Sequence, residues 1–275
     1  DLLEMEHLTA DLHIHSNWSD AVHSIEEIAL AARERGLKAI AITDHSGGVG
    51  APGSLTLDRL KMQREDIENV RRKMGDSLLI LHGVEVEILS DGSLDYENDT
   101  LAWLDIVVAS LHYDLNQPRE QITRRLIRAI KNPHVDIIAH PSGRLHPEVE
   151  PADLDWEVIL STASETGTIL EINSNPNRLD LDEIIARKAA AAGVLLAIDT
   201  DSHRPAHLDR ARFGVSVARR AGLTGEDPPG DRSVLFRRAA GQRLWRCAGE
   251  PHVLGGDRPA LDRGAGHLDD VGHSA

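Results

Sequence analysis

Seven short apolar runs, rich in β-branched residues and separated by helical patterns, constrain the fold of this chain more than any other feature. The runs cover residues 10–15, 39–45, 78–87, 106–112, 135–140, 168–173 and 194–201. Near-continuous apolar strands that alternate with helices are typical of a parallel sheet covered on both faces. Seven such units in about 200 residues predict an α/β fold that closes into a barrel.

Helix signals lie between most of these runs. The first helix is predicted by the capping box of Ser24 and Glu27 and is expected to stop at Gly36. Further helices are predicted over residues 57–74, 119–131, 155–165 and 181–192. The 275 residues therefore fit one large domain, because a single α/β barrel needs about 250.

Composition restricts the functional classes. A formal net charge of −15 argues against broad, unspecific binding of nucleic-acid phosphates, although Arg124, Arg125, Arg128 and Lys131 leave a local phosphate-facing patch open. The single cysteine, Cys247, cannot form an intramolecular disulfide, and no apolar run reaches the roughly 18 residues that span a bilayer. With no leader pattern before Asp1, we expect a cytoplasmic protein without membrane contact.

Histidines and carboxylates recur where the predicted strands end. His13 and His15 are two residues apart on one strand, so their side chains share a face, yet an isolated pair of this kind is weak support for a metal site. The later strands carry or are followed by His45, Glu85, His112, His140, Asp201 and His203. Since the carboxyl ends of parallel barrel strands meet at one rim, the pattern predicts a polynuclear metal site there.

The same stretches resemble a known family. The segments DLHIHSNWSD, AITDHS, GVEVEI, SLH, AHPSGR, EINSNP and DTDSH are similar to the successive motifs of the PHP (polymerase and histidinol phosphatase) superfamily. Longer matches within residues 8–227 resemble the C-terminal PHP domain of bacterial and archaeal family X DNA polymerases. The resemblance implies a distorted (β/α)7 barrel with a trinuclear metal site at its C-terminal rim.

The resemblance also implies a ligand set. His13, His15, Glu85 and Asp201 would hold one ion, and Glu85 would bridge to a second ion held with His112 and His140. A third ion would be held by Asp20, His45 and His203. Six imidazoles with three carboxylates suit transition metals, so we expect two to three ions of Mn²⁺ or Zn²⁺, with iron as a further option.

The implied reaction is hydrolysis of a phosphoester by metal-bound hydroxide. The catalytic residues would be His13, His15, Glu85 and Asp201. Arg144 is a further candidate that could contact a phosphate, although a surface role fits it equally well. Asp44 is expected to orient a ligand histidine.

Three functions stay open. The long resemblance favours a 3′–5′ exonuclease or 3′-end-processing enzyme acting on DNA, whereas the net acidity favours a small-molecule phosphatase of the histidinol-phosphatase or nucleotide-phosphatase type. A non-catalytic metal-binding module is the third, but such a module should have lost ligands and all nine are present. Gly47 and Gly48 replace a basic residue that is usual in the family, which weakens the expectation of DNA binding.

Both ends of the chain differ from the central part. Residues 1–8 resemble the linker that would follow a nucleotidyl-transfer domain, so such a domain is an expected partner. Residues 9–227 form the predicted PHP phosphoesterase domain. Residues 228–275 turn rich in glycine and proline and are expected to be a poorly ordered tail with at most a short helix over 234–244. A frameshifted, non-homologous end and a naturally divergent tail remain equal alternatives.

Overall fold

A seven-stranded parallel sheet whose strands pair in chain order is the centre of the fold. The computed structural model describes residues 1–47, 53–224, 236–237 and 244–245. The strands are β1 (Ala10–Ile14), β2 (Ala39–Ile42), β3 (Leu79–Glu87), β4 (Ile106–Ser110), β5 (Ile137–Ile138), β6 (Ile169–Asn173) and β7 (Leu196–Asp199). All seven predicted strands are present, and the expected barrel is confirmed.

The sheet curls until its first and last strands meet. Ile14 and Ser202 form a parallel bridge, and the main-chain N–H of His15 donates to the Ser202 carbonyl at 2.8 Å. Lower in the barrel, the N–H of Leu12 donates to Oδ1 of Asp199 at 2.7 Å. The result is a nearly closed (β/α)7 barrel.

Seven α-helices accompany the strands in the described part of the chain. They are α1 (Ile25–Glu34), α2 (Leu57–Met74), α3 (Asn98–Trp103), α4 (Arg119–Ile130), α5 (Trp156–Thr166), α6 (Glu183–Ala191) and α7 (Ala211–Ala221). The capping box that opens α1 is present, because the Ser24 side chain accepts from the N–H of Glu27 at 3.3 Å and Glu27 accepts in return from Ser24. Helices α3 and α7 were not predicted from the sequence.

The strands end earlier than their apolar runs suggest. For β2, β4, β5 and β7, the last two or three residues of the predicted strand have left the ladder and form the loops of the rim. One buried cluster takes members from every strand and from no helix, which places it inside the barrel; it includes Leu12, Ala41, Leu81, Val108 and Ala139. This apolar filling supports the rim from below.

Two further observations concern the ends and the surface. Within the predicted short helix at 234–244, Phe236–Arg237 instead pairs antiparallel with Leu244–Trp245. The rest of 225–275 lies outside the described residues, so the structure does not bear on the expected disorder of the tail. Among the described helices, none combines the length and the apolar character that crossing a bilayer requires.

Candidate metal centre

All nine side chains of the predicted ligand set lie together at the C-terminal rim. His13 is on β1, Glu85 is on β3, and the others lie in the loops that begin at the strand ends. They form four overlapping groups whose ligand atoms lie within 4.8 Å of one another. These groups are His13, His15 and Asp201; His13, Glu85 and His140; His45, Glu85 and His112; and His15, Asp20, His45 and His203.

Glu85 is at the centre of the cluster, and its side chain is only 1% exposed. Its Oε2 lies 3.4, 3.4 and 2.9 Å from ring nitrogens of His13, His15 and His45. Its Oε1 lies 3.0 and 3.4 Å from Nε2 of His140 and His112. One carboxylate therefore contacts five imidazoles, which suits it to join two ions.

The spacing of the donor atoms fits a transition metal. His13 Nε2 and His15 Nε2 are 3.2 Å apart, and His15 Nε2 is 3.3 Å from Oδ1 of Asp201. Ligand atoms held about 2.1 Å from a tetrahedral ion lie about 3.4 Å from one another. Together with the two 3.4 Å contacts of Glu85, these side chains form a set that matches the ligand chemistry of zinc or manganese.

A third group forms the open side of the cluster. Oδ2 of Asp20 lies 3.2 Å from Nε2 of His203 and 3.5 Å from Nε2 of His45. The side chains of Asp20 and His203 are 27% and 31% exposed, more than any other member of the ligand set. His15 adjoins this group through its Nδ1, which is buried and has no hydrogen-bond partner. A substrate would therefore reach the cluster from this side.

Two buried glutamates that the sequence reasoning missed support the ligand histidines. Glu171 Oε1 lies 2.8 Å from Nδ1 of His13, and its Oε2 accepts from the main-chain N–H of His140 at 2.6 Å. Glu87 Oε2 lies 2.6 Å from Nδ1 of His112. In both cases Nδ1 is occupied by a carboxylate and Nε2 is left for a metal ion. Their place on β6 and β3 at the rim was the available signal.

The main chain is strained at two of the candidate ligands. His140 has φ 28° and Asp201 has φ 52°, both in the left-handed region that disfavours residues other than glycine. Such conformations cost of order 1–3 kcal/mol each and persist where the surrounding structure enforces them. Each is the second residue after a strand end, where the chain must turn to aim a side chain into the rim.

Burial and neighbouring carboxylates give the candidate ligand histidines different protonation states. Burial lowers the pKa of His15 to about 4 and that of His140 to about 3, so both rings are neutral at pH 7 and offer lone pairs. Burial also acts to lower the pKa of His13, but the carboxylates of Glu85 and Glu171 outweigh it and hold that pKa well above its usual value. Metal binding would release the proton of His13.

Arg144 does not contact the cluster. Its Nε and Nη2 donate to the carbonyls of Arg178 and Leu179, and Arg178 Nη1 donates back to the carbonyl of Arg144 at 3.2 Å. The arginine that reaches the cluster is Arg178, whose Nε lies 3.4 Å from Oδ2 of Asp201 and has no hydrogen-bond partner. Arg144 braces the loop that carries Arg178.

Two other sequence interpretations are corrected. The Asp44 carboxylate accepts from Ser16, Ser19 and Gln63 and so secures the loop after β1 rather than a ligand histidine. The basic patch on α4 is not a phosphate surface as a whole, because Arg125 is buried and donates to main-chain carbonyls that include that of Ile88.

A nearly closed parallel barrel with this His/Asp/Glu cluster at its carboxyl rim belongs to the class of metal-dependent phosphoester hydrolases. The family profile of the PHP domain matches residues 11–175. The chain belongs to the PHP domain family.

Individual relatives agree with this assignment. A DNA polymerase/3′-5′ exonuclease PolX of Bacillus subtilis (strain 168) is 44% identical over 220 residues, which are 80% of this chain and 38% of the relative, so the chain spans well under half of that protein. A probable phosphatase of Thermoanaerobacter sp. (strain X514) is 37% identical over 79% of this chain and 88% of its own length.

Solved structures show the same fold. Histidinol phosphate phosphatase from Lactococcus lactis, determined with zinc, L-histidinol and phosphate, aligns with a TM-score of 0.54 at 19% identity. The alignment covers 76% of this chain and 93% of that one.

Proposed function

We propose that this chain hydrolyses the terminal phosphodiester of a DNA 3′ end as a 3′–5′ exonuclease or 3′-end-processing enzyme. The observation that carries the proposal is the convergence of six imidazoles and three carboxylates around Glu85 at one rim. The 44% identity to the B. subtilis polymerase/exonuclease over 80% of this chain favours DNA as the substrate. The assignment of particular ligands to particular ions is part of the proposal.

The residues of the rim have separate roles in the proposed reaction. Manganese or zinc ions, two or three in number, would lower the pKa of a water molecule and neutralise charge on the phosphoryl oxygens. Glu171 and Glu87 hold the rings of His13 and His112 in the orientation that a ligand needs. Asp20 and His203 line the side from which the phosphoester arrives.

Arg178 takes the role that the sequence suggested for Arg144. Its guanidinium adjoins Asp201, and a phosphate bound at the cluster would satisfy the unpaired Nε. Preorganised cations at the reacting phosphate stabilise the charge of the transition state. Arg144 is then a positioning residue, since it donates to the carbonyls of Arg178 and Leu179.

A small-molecule phosphatase is the second candidate. The probable phosphatase of Thermoanaerobacter matches over 88% of its own length, and the net charge of −15 disfavours extended contact with nucleic acid. A non-catalytic metal-binding module is the third candidate, and its biological role would not depend on hydrolysis. A nucleotidyl-transfer domain as partner and a cytoplasmic location also stay predictions.

Turnover of two substrate classes tests the proposal. Single-stranded DNA labelled at its 5′ end is compared with histidinol phosphate and a nucleoside monophosphate, each with Mn²⁺ and with Zn²⁺. We expect stepwise shortening of the DNA, and we expect His13→Ala and Asp201→Ala to abolish it. His134→Ala serves as the matched control, because His134 precedes β5 at the opposite end of the barrel.

The outcomes separate the candidates. Preferential turnover of the phosphomonoesters would contradict the exonuclease proposal and favour a small-molecule phosphatase. No turnover of any substrate by chain that holds its metal ions would favour the non-catalytic module.

A further inference from the structure

Two arginines and a histidine lie beside the metal cluster. A 3₁₀ helix over Pro205–Arg210 follows the rim loop that carries His203, and Arg204 caps it. In a 3₁₀ helix, side chains three residues apart lie above one another. His207 and Arg210 have this spacing and therefore share one face of the helix, whereas Arg204 precedes the helix at its extended N-cap position and lies within electrostatic range of Arg210. We call these three side chains the basic face.

The other faces of this helix are occupied. Leu208 is buried in the apolar cluster that contains Ile25 and Ile28 of α1. Asp209 forms a two-pronged ion pair with Arg35 on the outside of the barrel, with distances of 2.7 and 3.0 Å. The helix is thus fixed against α1 on two sides, and the basic face is the remaining one.

The basic face adjoins the open side of the cluster. Nδ1 of His207 accepts from the main-chain N–H of His203 at 3.3 Å. Burial lowers the pKa of Arg210 and the Asp201 carboxylate opposes this effect, which shows that the guanidinium lies within electrostatic range of the cluster. The basic face is therefore next to the point where Asp20 and His203 are exposed.

Neither arginine of the basic face forms an ion pair with a carboxylate of the described residues. In the part of the chain that the structure describes, neither the Arg204 nor the Arg210 guanidinium has a hydrogen-bond or ion-pair partner. The carboxylates on this side of the cluster already have partners, since Asp201 contacts His15 and Arg178, and Asp20 contacts histidines of the cluster. An unpaired pair of guanidinium forks beside a phosphate-hydrolysing centre is suited to a further phosphate group.

We propose that Arg204, His207 and Arg210 form a subsite for a second phosphate, one nucleoside away from the phosphate that the metal cluster holds. The inference rests on the proposed phosphoester hydrolysis and specifies its substrate class. A phosphomonoester has no group for this subsite. The next linkage of a polynucleotide end and the second phosphate of a nucleoside 3′,5′-bisphosphate both have one.

Steady-state kinetics of the double variant Arg204→Ala/Arg210→Ala test the subsite. For a short single-stranded oligonucleotide, KM should rise at least about tenfold while kcat stays within about twofold, because charge-assisted contacts to the second phosphate are lost. For a nucleoside monophosphate, both constants should stay unchanged. A nucleoside 3′,5′-bisphosphate shows whether a single extra phosphate group is enough for recognition. If the double variant raises KM for the bisphosphate as much as for the oligonucleotide, one extra phosphate suffices. If KM for the bisphosphate rises less, the subsite recognises the linkage of a polynucleotide. Either result supports the subsite.

Binding without turnover provides a second measurement. In EDTA, fluorescence anisotropy of a labelled oligonucleotide gives the slope of log K against log salt concentration. Each phosphate of a single strand that the protein neutralises contributes about 0.7 to this slope. The double variant, which removes the contacts to one phosphate, should therefore lose about 0.7, whereas Arg124→Ala, which removes an exposed arginine on α4, should keep the slope of the native chain.

Two results would overturn the subsite. One is an unchanged KM and an unchanged salt slope in the double variant. The other is an equal change of KM for monophosphate and oligonucleotide, which would place these residues at the reacting phosphate or in the fold. Failure of the proposed hydrolysis itself is distinguishable, because it abolishes turnover of every substrate in the native chain while the salt slopes still compare the variants.

Discussion

Replacing Glu171 by glutamine should weaken metal binding while the fold of the barrel is retained. Glu171 accepts from three donors, of which two, the His140 N–H and the Asn173 amide, share Oε2 and one, His13 Nδ1, faces Oε1. In Glu171→Gln, one of these oxygens becomes an NH₂ group that meets a donor. The lost hydrogen bond and the unsatisfied group together cost about 1–3 kcal/mol.

The metal affinity should fall by about 10- to 100-fold, the usual effect of removing the partner of a ligand histidine. Competition of metal-free protein with a chromophoric chelator for Zn²⁺ or Mn²⁺ measures it. Asp105→Asn is the matched control, because Asp105 is a buried carboxylate that accepts from Arg71 and His82 below the start of β4. If Glu171→Gln binds metal within twofold of the native chain, or if Asp105→Asn loses as much affinity, the orienting role of Glu171 is refuted.

Three further predictions concern stability and turnover. Burial lowers the pKa of His82 to about 3, so below about pH 6.5 the unfolded chain binds a proton at this residue that the folded chain does not bind. Between pH 7 and pH 4 the free energy of unfolding of the native chain should therefore fall by about 3 kcal/mol more than that of His82→Gln. Urea denaturation in EDTA measures this difference, and parallel pH profiles of the two chains would contradict it. Gly83→Ala should destabilise by about 1–3 kcal/mol, because its Cβ would lie 2.7 Å from Cγ2 of Ile106; thermal denaturation measures the loss, and an unchanged melting temperature would count against it. Arg178→Lys should lower kcat about 100-fold with unchanged metal content, whereas native turnover would exclude Arg178 from the reaction.

The fold was predictable because its signals are local. Apolar runs of β-branched residues, the capping box at Ser24 and the glycine stops gave all seven strands and five of the seven helices. Helix α3 escaped because its six residues, Asn98–Trp103, are too few to show a helical period. Helix α7 carries an apolar stripe of Val215, Val217, Ala218 and Ala221, and the arginines between these residues obscured it.

The metal cluster was predictable for a topological reason, whereas the glutamates that orient its histidines were not predictable. Strand ends of a parallel barrel meet at one rim, so histidines 190 residues apart could be placed together, as His13 and His203 are. The spacing from strand end to ligand does not reveal which carboxylate accepts from Nδ1, so Glu171 and Glu87 were missed. Arg144 was named and Arg178 was not, because the direction of a loop side chain depends on tertiary contacts, here the reciprocal carbonyl bonds of the two loops.

The metal content of the purified chain tests the central claim most directly. Protein prepared without chelator and analysed by inductively coupled plasma mass spectrometry should hold two to three transition-metal ions per chain, and Glu85→Gln should hold fewer, because Glu85 contacts five of the six ligand imidazoles. A chain that shows the circular dichroism of an intact fold and still holds none, even after addition of Mn²⁺ or Zn²⁺, would contradict the account.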